Sequence, residues 1–350
     1  MALADRTLAL VDVPSQSGSE DAIYRLLEES VPLEKAYDDG ESLVFAKRSG
    51  RPLVLLAGHT DTVPAQGNLP GRIEDGHVVG LGASDMKGGL AVMVELAHYA
   101  ADADLAYDLA LLFFPREELG PDHNPLPGVF ERTAIVDEAK LVVCLEPTDN
   151  TLQLGCLGNL NARITFAGRS AHSARPWLGV NAIELALDGL APLLRSEPRE
   201  AVVEGLVFRE VISVTELHAG IASNVIPAEA VATVNFRYAP DRSPASAEER
   251  LRELVGDGGA MVEILSNSPP AHVPVESPVL EALRAAGDLE RQPKQAWTNV
   301  ADFAARGLDA VNLGPGATRY AHAVDERVEI AELERTYAVL QRFLTGTVAS

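Results

Sequence analysis

Short apolar runs alternate with amphipathic segments along the first 147 residues. We interpret as strands the runs 43–48, 52–58, 109–115 and 141–147, and as helices the segments 21–29 and 87–101. A hairpin over 73–80 has Asp75 and Gly76 at its turn. Strands that alternate with helices form mostly parallel sheets covered on both faces, so this pattern predicts an α/β domain.

A different, repeated pattern occupies residues 158–269. Strand, helix and strand follow one another twice, at 159–166, 181–195, 209–217, 230–238, 245–255 and 260–265. This order resembles a ferredoxin-like α+β sandwich. The pattern breaks near Pro269 and Pro270, and the earlier style resumes at 278–286, 300–307, 310–314 and 331–344. We therefore predict a split catalytic domain of residues 1–157 and 270–350, with residues 158–269 inserted into it.

The composition is that of a globular chain long enough for two domains. It has 350 residues, of which 47% are hydrophobic and 23% are charged. The 29 basic and 51 acidic residues give a formal net charge of −22. Because nucleic acids and anionic membranes are bound through basic patches, we expect neither as a partner. A small anionic substrate would still need local arginines.

The sequence also bears on the cellular compartment. Cys144 and Cys156 are too few for a disulfide scaffold, which fits a reducing cytosol. The first twenty residues contain an early aspartate and only a short apolar run, so they make a poor signal peptide. No apolar run approaches the roughly 18 residues of a membrane span. We expect a soluble, cytoplasmic protein.

Acidic residues and a histidine follow the predicted strands at their carboxyl ends. These are His59, the adjacent pair Glu117 and Glu118, and Glu146. Ligands collect at this edge of a parallel sheet. A pair of glutamates is usually only a charged loop, but here one could bind a metal while its neighbour transfers a proton. The shared sheet edge favours that second interpretation.

Two further aspartates are candidates on chemical grounds. Asp61 lies two residues after His59 in GHTDTVP, so both side chains point the same way in an extended segment. A metal-binding imidazole usually donates its second N–H to a carboxylate, which is the role we assign to Asp61. Considered alone, Asp85 in GASDMKGG is more often a helix N-cap than a metal ligand, because its oxygen can accept from the first free N–H groups.

Five motifs together carry a family resemblance. GHTDTVP, SDMKGG, REE, EP and YAHAVDE, in this order, resemble the co-catalytic zinc amidohydrolases over nearly the whole chain. That family includes aminoacylases, carboxypeptidase G-like enzymes, acetylornithine deacetylases and succinyl-diaminopimelate desuccinylases. The resemblance implies a mostly parallel-sheet zinc-hydrolase domain with an inserted lid, through which the subunits form a homodimer.

The resemblance also implies a site with two Zn²⁺ ions per subunit, which Co²⁺ or Mn²⁺ could replace. Its metal ligands would be His59, Asp85, Glu118, Glu146 and His322. Asp85 would bridge the two ions. Glu117 would be the general base of amide hydrolysis, and Asp61 would orient His59.

Residues of the inserted unit are implied in substrate binding. His172 would reach across the dimer interface to the substrate of the neighbouring subunit. Arg237 matches a carboxylate-binding arginine, which suits bidentate recognition, and Asn224 matches a substrate-binding asparagine. Arg175 and Thr298 are further candidates for substrate contact. The expected substrate is a small anionic N-acyl amino acid.

The branch of the family is suggested by longer segments. CLEPTDNTLQLGCLGNL, AHSARPWLGVNAI, WTNVADFAARG and NLGPGATRYAHAVDE resemble actinobacterial succinyl-diaminopimelate desuccinylases most. Such enzymes hydrolyse N-succinyl-LL-2,6-diaminopimelate to succinate and LL-2,6-diaminopimelate, for lysine and peptidoglycan precursors. However, Cys156, Leu157 and Gly158 stand where better-known desuccinylases carry an arginine and a serine.

Two alternatives therefore remain open. Within the family, the chain could be an acetylornithine deacetylase or another N-acyl-amino-acid amidohydrolase or carboxypeptidase. From a different class, it could be a non-catalytic binding protein on the same scaffold. Loss of catalysis should first remove the metal ligands or the base, and all of those positions are intact.

Overall fold

The computed structural model describes residues 1–256 and 258–347, which form two units. The first unit comprises Met1–Leu154, Pro274–Gln292 and the chain from Asp302 onward. The second comprises Gly155–Val273 and Pro293–Ala301. Among the described residues, no helix combines the length and the apolar composition that crossing a membrane requires.

The helices and strands are numbered in chain order. The helices are α1 (Leu3–Val11), α2 (Asp21–Ser30), α3 (Gly88–Asp102), α4 (Leu126–Arg132), α5 (Ala182–Leu194), α6 (Pro244–Val255), α7 (Pro278–Gly287), α8 (Val300–Ala305) and α9 (Ile330–Thr345). The strands are β1 (Glu34–Asp38), β2 (Leu43–Lys47), β3 (Leu53–His59), β4 (Arg72–Glu74), β5 (His77–Val79), β6 (Asp108–Phe114), β7 (Ala139–Cys144), β8 (Leu152–Leu154), β9 (Gly158–Ala167), β10 (Ala171–His172), β11 (Arg199–Val203), β12 (Leu206–Ala219), β13 (Val225–Ile226), β14 (Glu229–Tyr238), β15 (Met261–Ser268), β16 (Arg291–Pro293), β17 (Ala310–Asn312) and β18 (Arg327–Glu329).

An eight-stranded mixed sheet organises the first unit, in the order β1-β2-β6-β3-β7-β17-β8-β16. The four middle strands β6, β3, β7 and β17 run parallel, and antiparallel pairs flank them. All seven residues of β3 and of β6 are buried, because layers cover both faces of a parallel sheet. The predicted α/β architecture is confirmed, with antiparallel strands at the margins.

The carboxyl ends of the middle strands meet at one edge of this sheet. His59 ends β3 and lies opposite Phe114, which ends β6. On the other side of β3, Ala57 lies opposite Cys144, which ends β7. Residues that follow β3, β6 and β7 therefore gather at this edge.

The second unit contains an antiparallel sheet in the order β11-β12-β14-β9-β15. Apart from the edge strand β11, this is the strand order of a ferredoxin-like fold, as the sequence predicts. Alternate residues of β9 and β14 are buried, and they pack with apolar residues of α5 and α6. Asn181 caps α5 by accepting the Ile183 N–H, and Ser243 caps α6 by accepting the Ser246 N–H.

The periodicity analysis does not anticipate α1. This helix buries Thr7, Leu10 and Val11, and it packs with α3. Its apolar residues occupy one face of only nine residues, a length at which periodicity is a weak signal. The short strands β1, β8 and β11 are likewise absent from the sequence-based assignment.

Candidate metal centre

His59 lies at the buried end of β3, with 1% of its surface exposed. Its Nε2 is 3.0 Å from Oδ1 of Asp85 and 3.9 Å from Oε1 of Glu146. One ligand atom from each of these three residues lies within 4.8 Å of the other two. The geometry therefore gathers one nitrogen and two carboxylates around a common point.

Asp61 contacts the other ring nitrogen of His59. The Nδ1 of His59 is 3.1 Å from the backbone carbonyl of Asp61 and 3.5 Å from its Oδ1. An Nδ1–H donated to Asp61 leaves the Nε2 lone pair directed at Asp85 and Glu146. Burial by itself raises the pKa of Asp61, but its hydrogen bonds outweigh burial and lower the pKa.

The Asp61 carboxylate has a second set of contacts, with the segment that carries the glutamate pair. Its Oδ1 accepts the Glu117 N–H at 3.0 Å, and its Oδ2 accepts the Glu118 N–H at 3.1 Å. The Ser17 hydroxyl also donates to Oδ2, at 2.7 Å. Asp61 therefore fixes the backbone of both glutamates as well as the ring of His59.

A second cluster contains Asp85, Glu118 and His322. The Nε2 of His322 is 2.8 Å from Oε1 of Glu118 and 3.7 Å from Oδ2 of Asp85. Ligand atoms of these three residues also lie within 4.8 Å of one another. His322 adopts a left-handed backbone conformation with φ of 60°. Its imidazole thus reaches a site whose other members lie more than two hundred residues earlier in the chain.

The two oxygens of Asp85 face different imidazoles. Oδ1 approaches His59, and Oδ2 approaches His322. A carboxylate placed in this way has the arrangement of a bridging ligand. Nitrogen and carboxylate oxygen donors suit Zn²⁺, and also Mn²⁺ or Co²⁺. The donor set therefore fits two divalent cations, since several carboxylates packed together need positive charge between them.

Burial and neighbouring charges shift the pKa values of Glu117, His59 and His322. Burial raises the pKa of Glu117 well above its usual value, and the carboxylates of Glu146, Glu118 and Asp85 raise it further. Burial lowers the pKa of His59, but hydrogen bonds with Asp61 and Asp85 outweigh this and hold it well above its usual value. The hydrogen bond with Glu118 raises the pKa of His322 to about 9. Both imidazoles are therefore biased toward the protonated form when no metal is bound.

Metal binding should consequently release protons. At pH 7, we expect at least one proton to leave each chain when divalent cations saturate the metal-free protein, because His322, whose pKa is raised to about 9, binds a metal only as a neutral imidazole. Calorimetric titration in two buffers with different ionisation enthalpies measures this number. The number should fall as the pH rises through about 9, where His322 is already neutral. Binding enthalpies that do not depend on the buffer at pH 7 would contradict this expectation.

The chain from Gly314 to Thr318 holds the segment that carries Glu146. The Thr148 hydroxyl accepts the Gly314 N–H and donates to the Gly314 carbonyl, both at 3.1 Å. The Thr318 hydroxyl donates to the Pro147 carbonyl, also at 3.1 Å. A Cβ on Gly314 would lie 2.5 Å from the Glu146 carbonyl oxygen. This close approach of two backbones requires glycine.

Replacing Gly314 by alanine should therefore destabilise the protein. The added Cβ meets backbone atoms of Leu145 and Glu146, which cannot move as a side chain end can. We expect the free energy of unfolding to fall by about 3 kcal/mol, at the upper end of overpacking costs. Chemical denaturation measures the change. Gly128→Ala is the control, because Gly128 lies in α4 with open space around it, so that alanine should leave stability unchanged or raise it.

The predicted substrate residues lie in the second unit. His172 is exposed on β10, which pairs with β13, and its Nδ1 accepts the Ala174 N–H at 3.1 Å. The Arg175 N–H donates to the His172 carbonyl, and the Ser173 N–H donates to the Asn224 carbonyl. His172, Arg175 and Asn224 therefore lie close together on the exposed surface of the second unit.

Arg237 lies on a polar face of the sheet of the second unit. Its Nε donates to Oδ1 of Asn235 at 2.9 Å, and the Asn235 amide donates to both Asn159 and Asn161 at 2.8 Å. Burial lowers the pKa of the guanidinium. These asparagines orient the Arg237 guanidinium but carry no charge that would neutralise it. The sequence motifs do not predict these contacts. Thr298 is buried, with 3% of its surface exposed, and its carbonyl accepts the Ala301 N–H.

Comparisons with known proteins identify relatives of this chain. The model of peptidase family M20/M25/M40 matches residues 55–346. A Mycobacterium tuberculosis protein is 36% identical over 345 residues, which cover 97% of both chains. Its name, succinyl-diaminopimelate desuccinylase DapE, is itself provisional. The succinyl-diaminopimelate desuccinylase of Corynebacterium glutamicum is 34% identical over 350 residues, covering 97% of this chain and 95% of the relative.

A solved structure supports the fold. The crystal structure of a tripeptidase from Staphylococcus aureus superposes with a TM-score of 0.82 at 20% identity, covering 98% of this chain and 97% of the tripeptidase. The family match spans most of the chain, and it includes every residue of the histidine–carboxylate clusters. The chain belongs to peptidase family M20/M25/M40, a family of metal-dependent hydrolases.

Proposed function

We propose that this protein is a dinuclear metal enzyme that hydrolyses N-succinyl-LL-2,6-diaminopimelate to succinate and LL-2,6-diaminopimelate. The observation that carries the proposal is Asp85, whose two oxygens face His59 and His322 within clusters that Glu146 and Glu118 complete. The relatives named desuccinylases, at 34–36% identity, support the substrate.

The proposed metal ligands are His59, Asp85, Glu118, Glu146 and His322. When bound, two cations, which we take to be Zn²⁺, act as Lewis acids on the attacking water and on the amide carbonyl. Asp61 keeps the Nε2 of His59 available by accepting the proton on Nδ1.

Glu117 is the proposed general base. It is next to the ligand Glu118, and its backbone N–H is held by Asp61. Its carboxylate takes a proton as water oxygen adds to the succinyl carbonyl carbon, and it returns the proton to the amide nitrogen as the C–N bond breaks. The products are a carboxylate and an amine. Burial, and after it the neighbouring carboxylates, raise the pKa of Glu117, which favours its acceptance of a proton.

The substrate carboxylates require cationic partners. We propose that Arg237, which Asn235 orients, binds one of them. Asn224, Arg175 and Thr298 are proposed as further contacts. Cys156, Leu157 and Gly158 stand where better-known desuccinylases carry an arginine and a serine. N-acetylornithine is therefore the competing substrate to test.

Release of primary amine from N-succinyl-LL-diaminopimelate and from N-acetylornithine, measured side by side with zinc-loaded protein, tests the assignment. We expect kcat/KM to favour the succinyl substrate by at least tenfold. A preference for N-acetylornithine would move the protein to the deacetylase branch. Hydrolysis of neither compound would reject both substrates.

We also propose that the second unit forms a homodimer. Ile183, Leu187 and Leu194 are exposed along one side of α5, at spacings of four and seven residues. Nearby in sequence, Trp177 is 74% exposed. Such a row of apolar side chains on a helix is typical of an interface. In the dimer, His172 is proposed to reach the substrate of the partner subunit.

The adjoining strand β12 supports this interface. Strand β11 pairs with β12 only at residues 206–210, whereas β14 pairs with residues 211–219. In the described part of the chain, no strand pairs with the other edge of residues 211–219. An unpaired edge beside α5 is suited to pairing with the same edge of a second copy.

Leu187→Glu should convert the dimer to a monomer, because it places a charge in the apolar row of α5. Size-exclusion chromatography with light scattering measures the mass. If His172 acts across the interface, activity should fall as the dimer is lost. Met261→Glu is the matched control, since Met261 is also exposed but lies on β15, at the opposite edge of the sheet. A fully active wild-type monomer would exclude the proposed role of His172.

A further inference from the structure

Glu326 is a buried carboxylate to which the hydrolytic mechanism gives no role. Only 1% of its surface is exposed, and it follows His322 by four residues. Its Oε2 accepts the Gly82 N–H at 2.8 Å, and its Oε1 accepts the N–H groups of Ser84 and Asp85 at 3.1 and 3.0 Å. One side chain near the C-terminus thus receives three amides of the segment that carries Asp85.

The backbone around Asp85 depends on these contacts. Gly82 is left-handed, with φ of 77°, and Asp85 departs from helical geometry with φ of −126° and ψ of 93°. Buried backbone amides outside regular secondary structure need hydrogen-bond acceptors elsewhere. The Glu326 carboxylate is the acceptor for three of them. The Ser84 hydroxyl donates to the Ala317 carbonyl at 3.1 Å, so a fourth hydrogen bond joins the segment around Asp85 to the C-terminal part of the chain.

We propose that Glu326 is a positioning residue of the metal centre, which sets the Asp85 carboxylate between the two imidazoles. This inference rests on the proposed dinuclear site. Glu326 accepts the backbone N–H of Asp85 directly, and it follows His322 by four residues. One residue therefore links two ligands from distant parts of the chain. Three N–H donors to one buried side chain fix the position of this segment of the backbone, which suits the role.

The test compares substitutions of two buried glutamates. Glu326→Gln removes the charge and turns an amide N–H₂ toward the backbone donors. Glu210→Gln is the matched control, because Glu210 is 6% exposed and accepts from Arg199 and Arg242 in the second unit. Metal affinity is measured by competition with a chromophoric chelator, Co²⁺ coordination by its visible absorption spectrum, and stability by thermal unfolding of the metal-free protein.

We expect Glu326→Gln to weaken metal binding by about 10–100-fold and to change the Co²⁺ spectrum, as loss of a partner behind a metal ligand does. Glu210→Gln should retain the wild-type affinity and spectrum even where its thermal stability falls. A lower unfolding temperature with unchanged affinity and spectrum in Glu326→Gln would overturn the inference, because Glu326 would then serve only the fold.

Metal binding by the wild-type protein separates the role of Glu326 from the existence of the dinuclear site. Wild-type protein that binds no divalent cation would reject the dinuclear site itself. Wild-type protein that binds two, with Glu326→Gln equal to it, would reject only the role of Glu326. If Glu326→Gln does not fold, Glu326→Asp keeps the charge on a side chain one methylene shorter, and wild-type metal affinity in that variant would overturn the inference.

Discussion

Glu117→Gln is expected to lower kcat by about 10³-fold, within the range of general acid–base catalysis, while both metals remain bound. The amide of glutamine has the size of the carboxylate but cannot accept the proton of the attacking water. The backbone N–H at this position should still donate to Asp61, so the segment keeps its geometry. Steady-state amine release and metal analysis of the same preparation measure the two effects.

The neighbouring glutamate provides the control. Glu118 lies 2.8 Å from His322 and is placed as a metal ligand, so Glu118→Gln should lose metal as well as activity. The two variants differ by one position in the chain, and each removes one carboxylate charge. Near-wild-type kcat in Glu117→Gln would remove Glu117 from the mechanism. Metal loss in Glu117→Gln would make it a ligand instead.

Asp85→Ala should abolish activity and leave neither cation tightly bound. Its two oxygens face His59 and His322, so removing one side chain takes a ligand from both clusters. We expect metal affinity to fall by more than the 10–100-fold that is typical for a residue behind a ligand. Equilibrium dialysis against Zn²⁺, followed by elemental analysis, measures the bound metal per chain.

Asp108→Asn is the control for the loss of a buried aspartate. Asp108 begins β6, at the end of the strand opposite to the site, and it accepts from the Ser49 hydroxyl and from backbone amides. This variant should lose stability but still bind two cations. If Asp85→Ala bound one cation with unchanged affinity, Asp85 would belong to one metal only and would not be a bridge.

Much of the site could be predicted because it depends on strand direction. Once β3, β6 and β7 are recognised as buried strands of a parallel sheet, their carboxyl ends must share an edge, and His59, the glutamate pair and Glu146 must lie there. The grouping of Asp85 and His322 with them came from the family resemblance. No local pattern brings together residues so far apart in the chain.

The supporting contacts could not be predicted for a related reason. The bonds from the amides of Glu117 and Glu118 to Asp61, and from the amides near Asp85 to Glu326, join backbone donors to side chains 56 to 244 positions away. A backbone donor exists at every residue except proline, so the sequence does not mark those that are used. The requirement for glycine at position 314 could not be predicted either, because its close approach to the Glu146 carbonyl exists only in the folded chain.

The most direct test of the central claim is a metal titration of activity. Protein freed of metal with a chelator is titrated with Zn²⁺, and hydrolysis of N-succinyl-LL-diaminopimelate is followed at each step. We expect no activity without metal, saturation at two Zn²⁺ per chain, and no recovery in Asp85→Ala. Full hydrolysis by metal-free protein, or full recovery of Asp85→Ala, would contradict it.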